Sequence, residues 1–212
     1  MKNIVLIGGG SHCKSVIEII EESKSFKISG ISDLKEKIGT NILDYKISIV
    51  DKELEKVYPK TKHAFITHGK NLKLRKKIFE TASKIGFCFP KIVSSHSFCS
   101  KYCKISDGTI IMKGAIANSS SEIGKNCIIN SGAIIEHDCK IGDHVHISPG
   151  AVISGNAKIG NVTHVGTNAT VIDGIQIGNN SIIGAGAVIV KDVPDNSVVV
   201  GNPGREIKKN GE

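Results

Sequence analysis

From position 93 the chain keeps a six-residue beat of apolar residues for about a hundred positions. Val93, Cys99, Ile105, Ile111, Ala117 and Ile123 open the series, which runs through Ile135, Ile147 and Val165 to Ile189 without a slip. Fifteen of its seventeen members are Ile or Val, so the beat marks one packed interior. A second, smaller series follows four places behind, with Thr109, Ala115, Ala133, Ala151, Ala157 and Ala169 among its members. A helix requires a period near 3.6 and a strand a period of 2, so period 6 is neither as a regular element. It fits a solenoid whose hexads are each a short strand plus a corner, three hexads closing a coil of 18 residues. Gly124, Gly142, Gly160, Gly166, Gly178 and Gly184 directly follow the apolar residue, where a sharp turn or positive φ is expected. The beat stops after Ile189, and Pro194 and Pro203 predict a looped tail.

The first ninety residues are patterned differently. Residues 2–7 read as a buried strand, followed by Gly8-Gly9-Gly10-Ser11-His12 and a helical spacing of Val16, Ile17, Ile19 and Ile20. Further strands are expected from Phe26 to Asp33, Ile47 to Val50 and His63 to Thr67. Helices are expected over 51–58 and from Lys70 to Ile85, the latter with Leu72, Ile78, Phe79 and Ala82 on its apolar side. Alternating strands and helices predict an open, mostly parallel α/β sheet of Rossmann-like type. The chain thus reads as two domains, residues 1–90 and 91–212, with Pro90 punctuating the exit of the first.

Composition narrows the function classes. The net charge is +8, but the lysines are scattered and no Arg-rich or aromatic-interleaved stripe marks a nucleic-acid surface. No run approaches the roughly 18 apolar residues of a spanning helix, and no leader pattern opens the chain. The expectation is a cytoplasmic protein without nucleic-acid or membrane partners. The six cysteines form no CxxC pair; Cys99, Cys103, Cys127 and Cys139 fall in the inward registers, where free Cys acts as a small hydrophobe.

Candidate chemistry concentrates in a few residues. His137 stands two places past inward Ile135, near a corner, with Asp138 beside it. Histidine is the side chain best suited to take a proton near neutral pH, and an adjacent carboxylate favours its imidazolium. Successive strand residues point to opposite sides, so Asp138 reaches His137 only if the backbone bends there. His146 and His164, 18 apart, should stack on adjacent coils at one corner. Gly8-Gly9-Gly10-Ser11-His12 lacks the full GxGxxG pattern, so a phosphate cradle and a plain tight turn are equal readings of it.

The hexads resemble the hexapeptide-repeat acyltransferases, whose fold is a left-handed parallel β-helix, over residues 93 to about 205. The tail from Val190-Lys191-Asp192-Val193-Pro194 through Val200-Gly201-Asn202-Pro203-Gly204-Arg205 is similar to the family's coenzyme A channel segment, with Gly204 where many members have Ala. The glycine-rich βα domain and Ile134-Ile135-Glu136-His137-Asp138-Cys139 together resemble one subgroup. It contains the UDP-4-amino-sugar N-acetyltransferases of bacillosamine synthesis and sialic acid O-acetyltransferase-like proteins. The resemblance implies His137 as general base, oriented or made more basic by Asp138, with Asn130 in the active site. It implies acetyl-CoA contacts at His146, Thr167 and Ala185, with His164 a supporting or surface residue. Gly10, Ser11 and His12 would meet the phosphates of a sugar nucleotide, Ser32 and Asp33 the nucleoside, and Gly69 would add a contact. No metal is implied, and sites lie between subunits of a homotrimer.

The expected function is therefore acetyl-CoA-dependent N-acetylation of a nucleotide-linked amino sugar, a UDP-4-amino-4,6-dideoxy sugar, in bacterial surface glycan or glycoprotein biosynthesis. The nearest alternative is O-acetylation of sialic acid or a related nonulosonic acid. A zinc hydratase of the γ-carbonic anhydrase kind shares the β-helix, but His137, His144, His146 and His164 lack that family's His-x4-His spacing. A noncatalytic sugar-nucleotide sensor is the remaining class.

Overall fold

The computed structural model describes residues 1–211. The chain divides into two compact units, Met1–Ser95 and the part from His96 onward.

In the first unit, β1 (Lys2–Ile7), β2 (Phe26–Asp33), β3 (Asn41–Ile42), β4 (Tyr45–Val50) and β5 (His63–Ile66) form one sheet in the order β3-β4-β2-β1-β5. All neighbours are parallel except the short β3, which the hydropathy pattern does not reveal and which pairs antiparallel with β4. Ile4, Val5, Leu6 and Ile7 are buried without alternation, as a central parallel strand covered on both faces requires. Helix α1 (Ser11–Ser23) buries Val16, Ile17, Ile19 and Ile20, and the short α2 spans Leu54–Val57. Helix α3 (Leu72–Ile85) starts at an Asn71 cap whose side chain accepts from the Leu74 amide at 2.9 Å. It ends at Gly86, in the left-handed region at φ 108°. Its buried side holds Leu72 and Ala82, as the pattern predicted, and also Arg75, which is wholly buried.

The second unit is a parallel β-helix. Sixteen two-residue strands, from Phe98–Cys99 to Val188–Ile189, fall one per hexad. Each of the first thirteen pairs with the strand eighteen residues on, as Ile116 with Ile134, Glu122 with Lys140 and Ile128 with His146. Three faces result: within this unit face one begins at Phe98–Cys99, face two at Lys104–Ile105 and face three at Ile110–Ile111. Ile111, Ile123, Ile135, Ile147, Ile159, Val171 and Ile183 fill the interior with Ala115, Cys127, Ala133, Cys139, Ala151 and Ala169 between them. The series departs from expectation at its start. Val93 is 37% exposed, and Cys99 and Ile105 are only partly buried. Inward positions close over only where a coil lies on both sides, and the first coil lacks that.

Two further expectations are corrected. The glycines after the apolar residue do not have positive φ. They stack coil upon coil: a Cβ on Gly124 or Gly160 would lie 2.6 or 2.5 Å from the carbonyl carbon of Gly142 or Gly178. Close approach, not the turn, requires them. The left-handed conformation falls instead at every sixth residue from Gly108 to Gly186, through Ser120, Asn126, Asp138, His144, Asn156, Val162, Asn168 and Asn180 as well as glycines. The tail is also more ordered than a loop. Val193 bridges to Ile177 and Ser197–Val200 pairs in parallel with Ile182–Ile183 at a spacing of sixteen, and Arg205–Lys209 returns antiparallel.

Candidate functional site

His137 lies at the corner between faces one and two, just past the strand Ile134–Ile135. The bend that Asp138 needs is present, because Asp138 takes φ +60°, a conformation Asp tolerates better than most residues. The Asp138 amide donates to the Ser119 carbonyl at 3.1 Å, and the His137 carbonyl accepts from the Asn156 amide at 3.0 Å. Thus held on both sides, the corner brings His137 Nδ1 to 2.8 Å from Asp138 Oδ2. With Asp138 ionised the proton belongs on Nδ1, which leaves the lone pair on Nε2. The Asp138 hydrogen bond is the main reason the His137 pKa lies above its ordinary value; desolvation opposes it, and the charges of Asp138, Glu136 and Asp173 add to the rise.

One coil further, Gly155 leaves room for the imidazole. A Cβ there would lie 2.7 Å from His137 Cε1, 2.8 Å from Nε2 and 2.9 Å from Asp173 Oδ2. Residues 137, 155 and 173 form one column at 18-residue spacing. The coil register contains that information, although the sequence motif alone draws the eye only to His137 and Asp138.

The other candidates of this unit gather elsewhere. Asn130 Nδ2 is 3.0 Å from His146 Nε2, and Asn130 Oδ1 accepts from the Ser131 amide at 2.8 Å. Asn130 is therefore joined to His146 and not to His137. His146 and His164 do stack, with ring centroids 4.9 Å apart and edge-on, but in paired strands of face three and not at a corner. Each directly precedes an inward residue, so each is an outward strand position. His164 Nε2 lies 3.1 Å from Ser148 Oγ, and burial lowers its pKa. Thr167 and Ala185 are exposed at the corner that follows face three. In a single chain the His137 pair and this second group thus occupy opposite edges of face one. A groove of about 740 Å³ runs along face two past Lys140, Gly142, Lys158 and Gly160, and none of the candidate residues lines it. Among the described residues no group of three or more His, Cys, Asp or Glu is arranged to hold a metal ion.

In the first unit the glycine loop follows β1 beside β5, where the strand order reverses; ligands of open α/β sheets bind at such a switch point. Gly10 precedes α1 and no side chain caps the helix; the Cys13 amide donates to the Gly10 carbonyl at 3.0 Å, and a helix start of this kind favours an anion. Gly8 has φ 110°, and a Cβ there would lie 2.9 Å from His68 Cδ2. Ser11 is exposed, whereas His12 Nε2 is buried without a hydrogen-bond partner. Burial, helped by the Arg75 charge, lowers the His12 pKa to about 4. Gly69 packs on His12, its built Cβ 3.4 Å from that of His12.

Asp33 is placed differently from a free nucleoside ligand. Its Oδ2 accepts from the Gly9 amide at 2.7 Å and from Lys37 Nζ at 3.0 Å, and its Oδ1 from the Leu34 amide at 2.7 Å. Burial alone would raise its pKa; the amides and Lys37 prevail and hold it below the usual carboxylate value. Its carboxylate fixes the glycine loop. Sequence reasoning missed Asp51, Lys37, His68 and Arg75 around this site. Ser32 faces the Asp51 carboxyl, whose pKa is raised chiefly by burial. Arg75 Nη1 donates to the carbonyls of Ile66 at 2.5 Å and His68 at 3.0 Å, holding the end of β5. Its signal was available: only one other arginine, Arg205, occurs in the chain.

Comparison with known proteins identifies both halves of the chain. The PglD N-terminal domain model matches residues 3–82, and the bacterial transferase hexapeptide model matches residues 120–155 and 156–191. No curated protein matches the chain by sequence. Among solved structures, a variant of perosamine N-acetyltransferase from Caulobacter crescentus, in complex with CoA and GDP-perosamine, is 29% identical with a TM-score of 0.94, covering 99% of this chain and 98% of that one. The acetyltransferase domain of PglB from Neisseria gonorrhoeae, in complex with acetyl coenzyme A, is 30% identical with a TM-score of 0.90, covering 97% and 99%. WeeI from Acinetobacter baumannii is 26% identical with a TM-score of 0.87, covering 98% and 100%. The chain belongs to the hexapeptide-repeat acetyltransferases of the left-handed β-helix fold, in the group that carries a PglD N-terminal domain.

Proposed function

We propose that the protein transfers the acetyl group of acetyl-CoA to the amine of a nucleotide-linked 4-amino-4,6-dideoxy sugar, within surface glycan or glycoprotein biosynthesis. The observation that carries the reading is the His137–Asp138 pair, with Nδ1 engaged at 2.8 Å and Nε2 left to the substrate. His137 takes a proton from the incoming ammonium, and the freed amine attacks the thioester carbonyl. The C–N bond forms, the C–S bond breaks and the imidazolium gives its proton to the departing thiolate. The surplus proton on nitrogen leaves to solvent. A backbone N–H would stabilise the oxyanion of the tetrahedral intermediate, commonly the main source of rate acceleration in acyl transfer.

In this reading residues 1–90 are the nucleotide-sugar-binding domain and residues 91–212 the acetyltransferase domain. Gly10, Ser11 and His12 hold the diphosphate at the start of α1, with Ser32, Asp33 and Gly69 bordering the nucleoside. The acetyl-CoA ligands are His146, Thr167 and Ala185, with Asn130 fixing the His146 ring. These stand across face one from His137, which supports a homotrimer whose sites combine two chains. Face one also presents an outward column of Phe98, Ile116, Ile134, Val152, Thr170 and Val188, apolar but for Thr170 and suited to a threefold contact. Use of acetyl-CoA supports a cytoplasmic location. The sequence resemblance favours UDP as the carrier; the GDP-perosamine bound by the Caulobacter enzyme puts a guanosine carrier beside it.

The test is free thiol released from acetyl-CoA across a panel of UDP-, GDP- and dTDP-linked amino sugars, with sialic acid as the oxygen acceptor. Turnover of one amino sugar, lost in His137→Ala with the fold retained, is the expected result. Near-wild-type turnover by His137→Ala, or turnover of sialic acid alone, refutes it.

A further inference from the structure

Three carboxylates surround His137, and two of them are committed. Asp138 holds Nδ1 at 2.8 Å, and Glu136 Oε2 accepts from Asn118 Nδ2 at 3.0 Å. The third, Asp173, stands on the other side of the ring. Its Oδ2 and His137 Nε2 lie 2.9 and 2.8 Å from the same point above Gly155, so they are within about 6 Å of each other, with no side chain on the intervening glycine. Both residues are exposed, and Asn156 Nδ2 steadies Asp173 Oδ2 at 3.4 Å.

We propose that Asp173 is the anchor for the substrate's ammonium group, holding it against Nε2 of His137. A sugar amine is mainly protonated at neutral pH, so the enzyme has to receive a cation and deprotonate it. A nitrogen placed over Gly155 within reach of both residues can donate one hydrogen to Asp173 Oδ2 and another to Nε2, because the two acceptors lie no more than about 6 Å apart. Asp173 passes no proton. It selects a charged amine over a neutral hydroxyl and aims one N–H at the base. The same arrangement accounts for Gly155, since a side chain there would occupy part of this space.

The proposal rests on the amine-acetylation reading, and its test separates the two. Binding of UDP- and GDP-linked 4-amino-4,6-dideoxyhexoses, and of their 4-hydroxy counterparts, is measured by calorimetry without acetyl-CoA, for wild type, Asp173→Asn and Asp173→Glu. Asp173→Asn is expected to weaken binding of the amine about tenfold while leaving the hydroxyl compound unchanged. In turnover the KM for the amine should rise with little change in the KM for acetyl-CoA, and Asp173→Glu should restore part of the loss. Equal weakening of amine and hydroxyl compounds, or an unaltered preference between them, overturns the ammonium site while leaving acetyl transfer standing. Absence of turnover by the wild type on every amine overturns the acetyl-transfer reading itself.

Discussion

Replacing Gly155 by alanine should disable the enzyme while sparing the fold. Gly155 does not have a positive φ, so alanine suits its backbone, and loss of glycine's freedom in the unfolded chain adds up to about 1 kcal/mol of stability. The new methyl, however, would sit 2.7 Å from His137 Cε1 and 2.8 Å from Nε2. Ordinary carbon contacts begin near 3.5 Å, so the ring must retreat by roughly 0.7 Å or swing off the Asp138 carboxylate. The ring is the free end of a side chain, so this relief costs the fold little. A displacement approaching 1 Å at a reacting atom lowers turnover on the order of a hundredfold. The measurement is kcat by thiol release together with the thermal midpoint. A fall in kcat of one to two orders with an unchanged or slightly raised midpoint is expected. Unchanged kcat would show that the ring does not work from this position.

Asp138→Asn should lower maximal turnover and move the acid limb of the kcat/KM profile to lower pH. Asp138 raises the His137 pKa, so its loss leaves the base unprotonated further into acid; a limb that stays or moves up contradicts the assignment. Val162 is β-branched and held at φ +59°, so Val162→Asn should stabilise the solenoid by about 1 kcal/mol in urea titration. A lower midpoint would refute the strain argument. His12 has a folded pKa of about 4 against 6.5 unfolded, so the unfolded chain binds the extra proton between those values. Stability is then full above pH 6.5 and falls by up to about 3 kcal/mol as pH drops toward 4, a slope that His12→Gln should remove from denaturant titrations at pH 7, 6 and 5.

The six-residue beat carried most of the fold, because an inward position admits only small or branched apolar residues and repeats its demand in every coil. It misled where coils lack a neighbour, as at Val93, and where glycine had two possible uses, as at Gly124 and Gly142. Their lack of a side chain serves coil-to-coil contact, and only the stacked backbones reveal that. His137 and Asp138 were legible as a pair, but their contact depends on one left-handed residue that no periodicity announces. Asp173 was hidden because its partner lies 36 positions earlier, two coils away. Around the glycine loop, Asp33 looked like a ligand from its place at the end of β2. The Gly9 and Leu34 amides that occupy it come from chain reversals, which hydropathy does not encode.

The inward beat and the left-handed beat share one hexad, so the solenoid can change length only in whole units. A single deleted residue would push every following inward Ile toward the surface and force residues of the small series, Cys139 or Val145 among them, into the left-handed bends. Removing six residues would keep both beats but turn everything downstream by one face, separating His146 from the corner that Thr167 now occupies. Only eighteen restore the alignment, so the spacing along the axis between base and cosubstrate ligands is counted in coils and cannot drift by degrees.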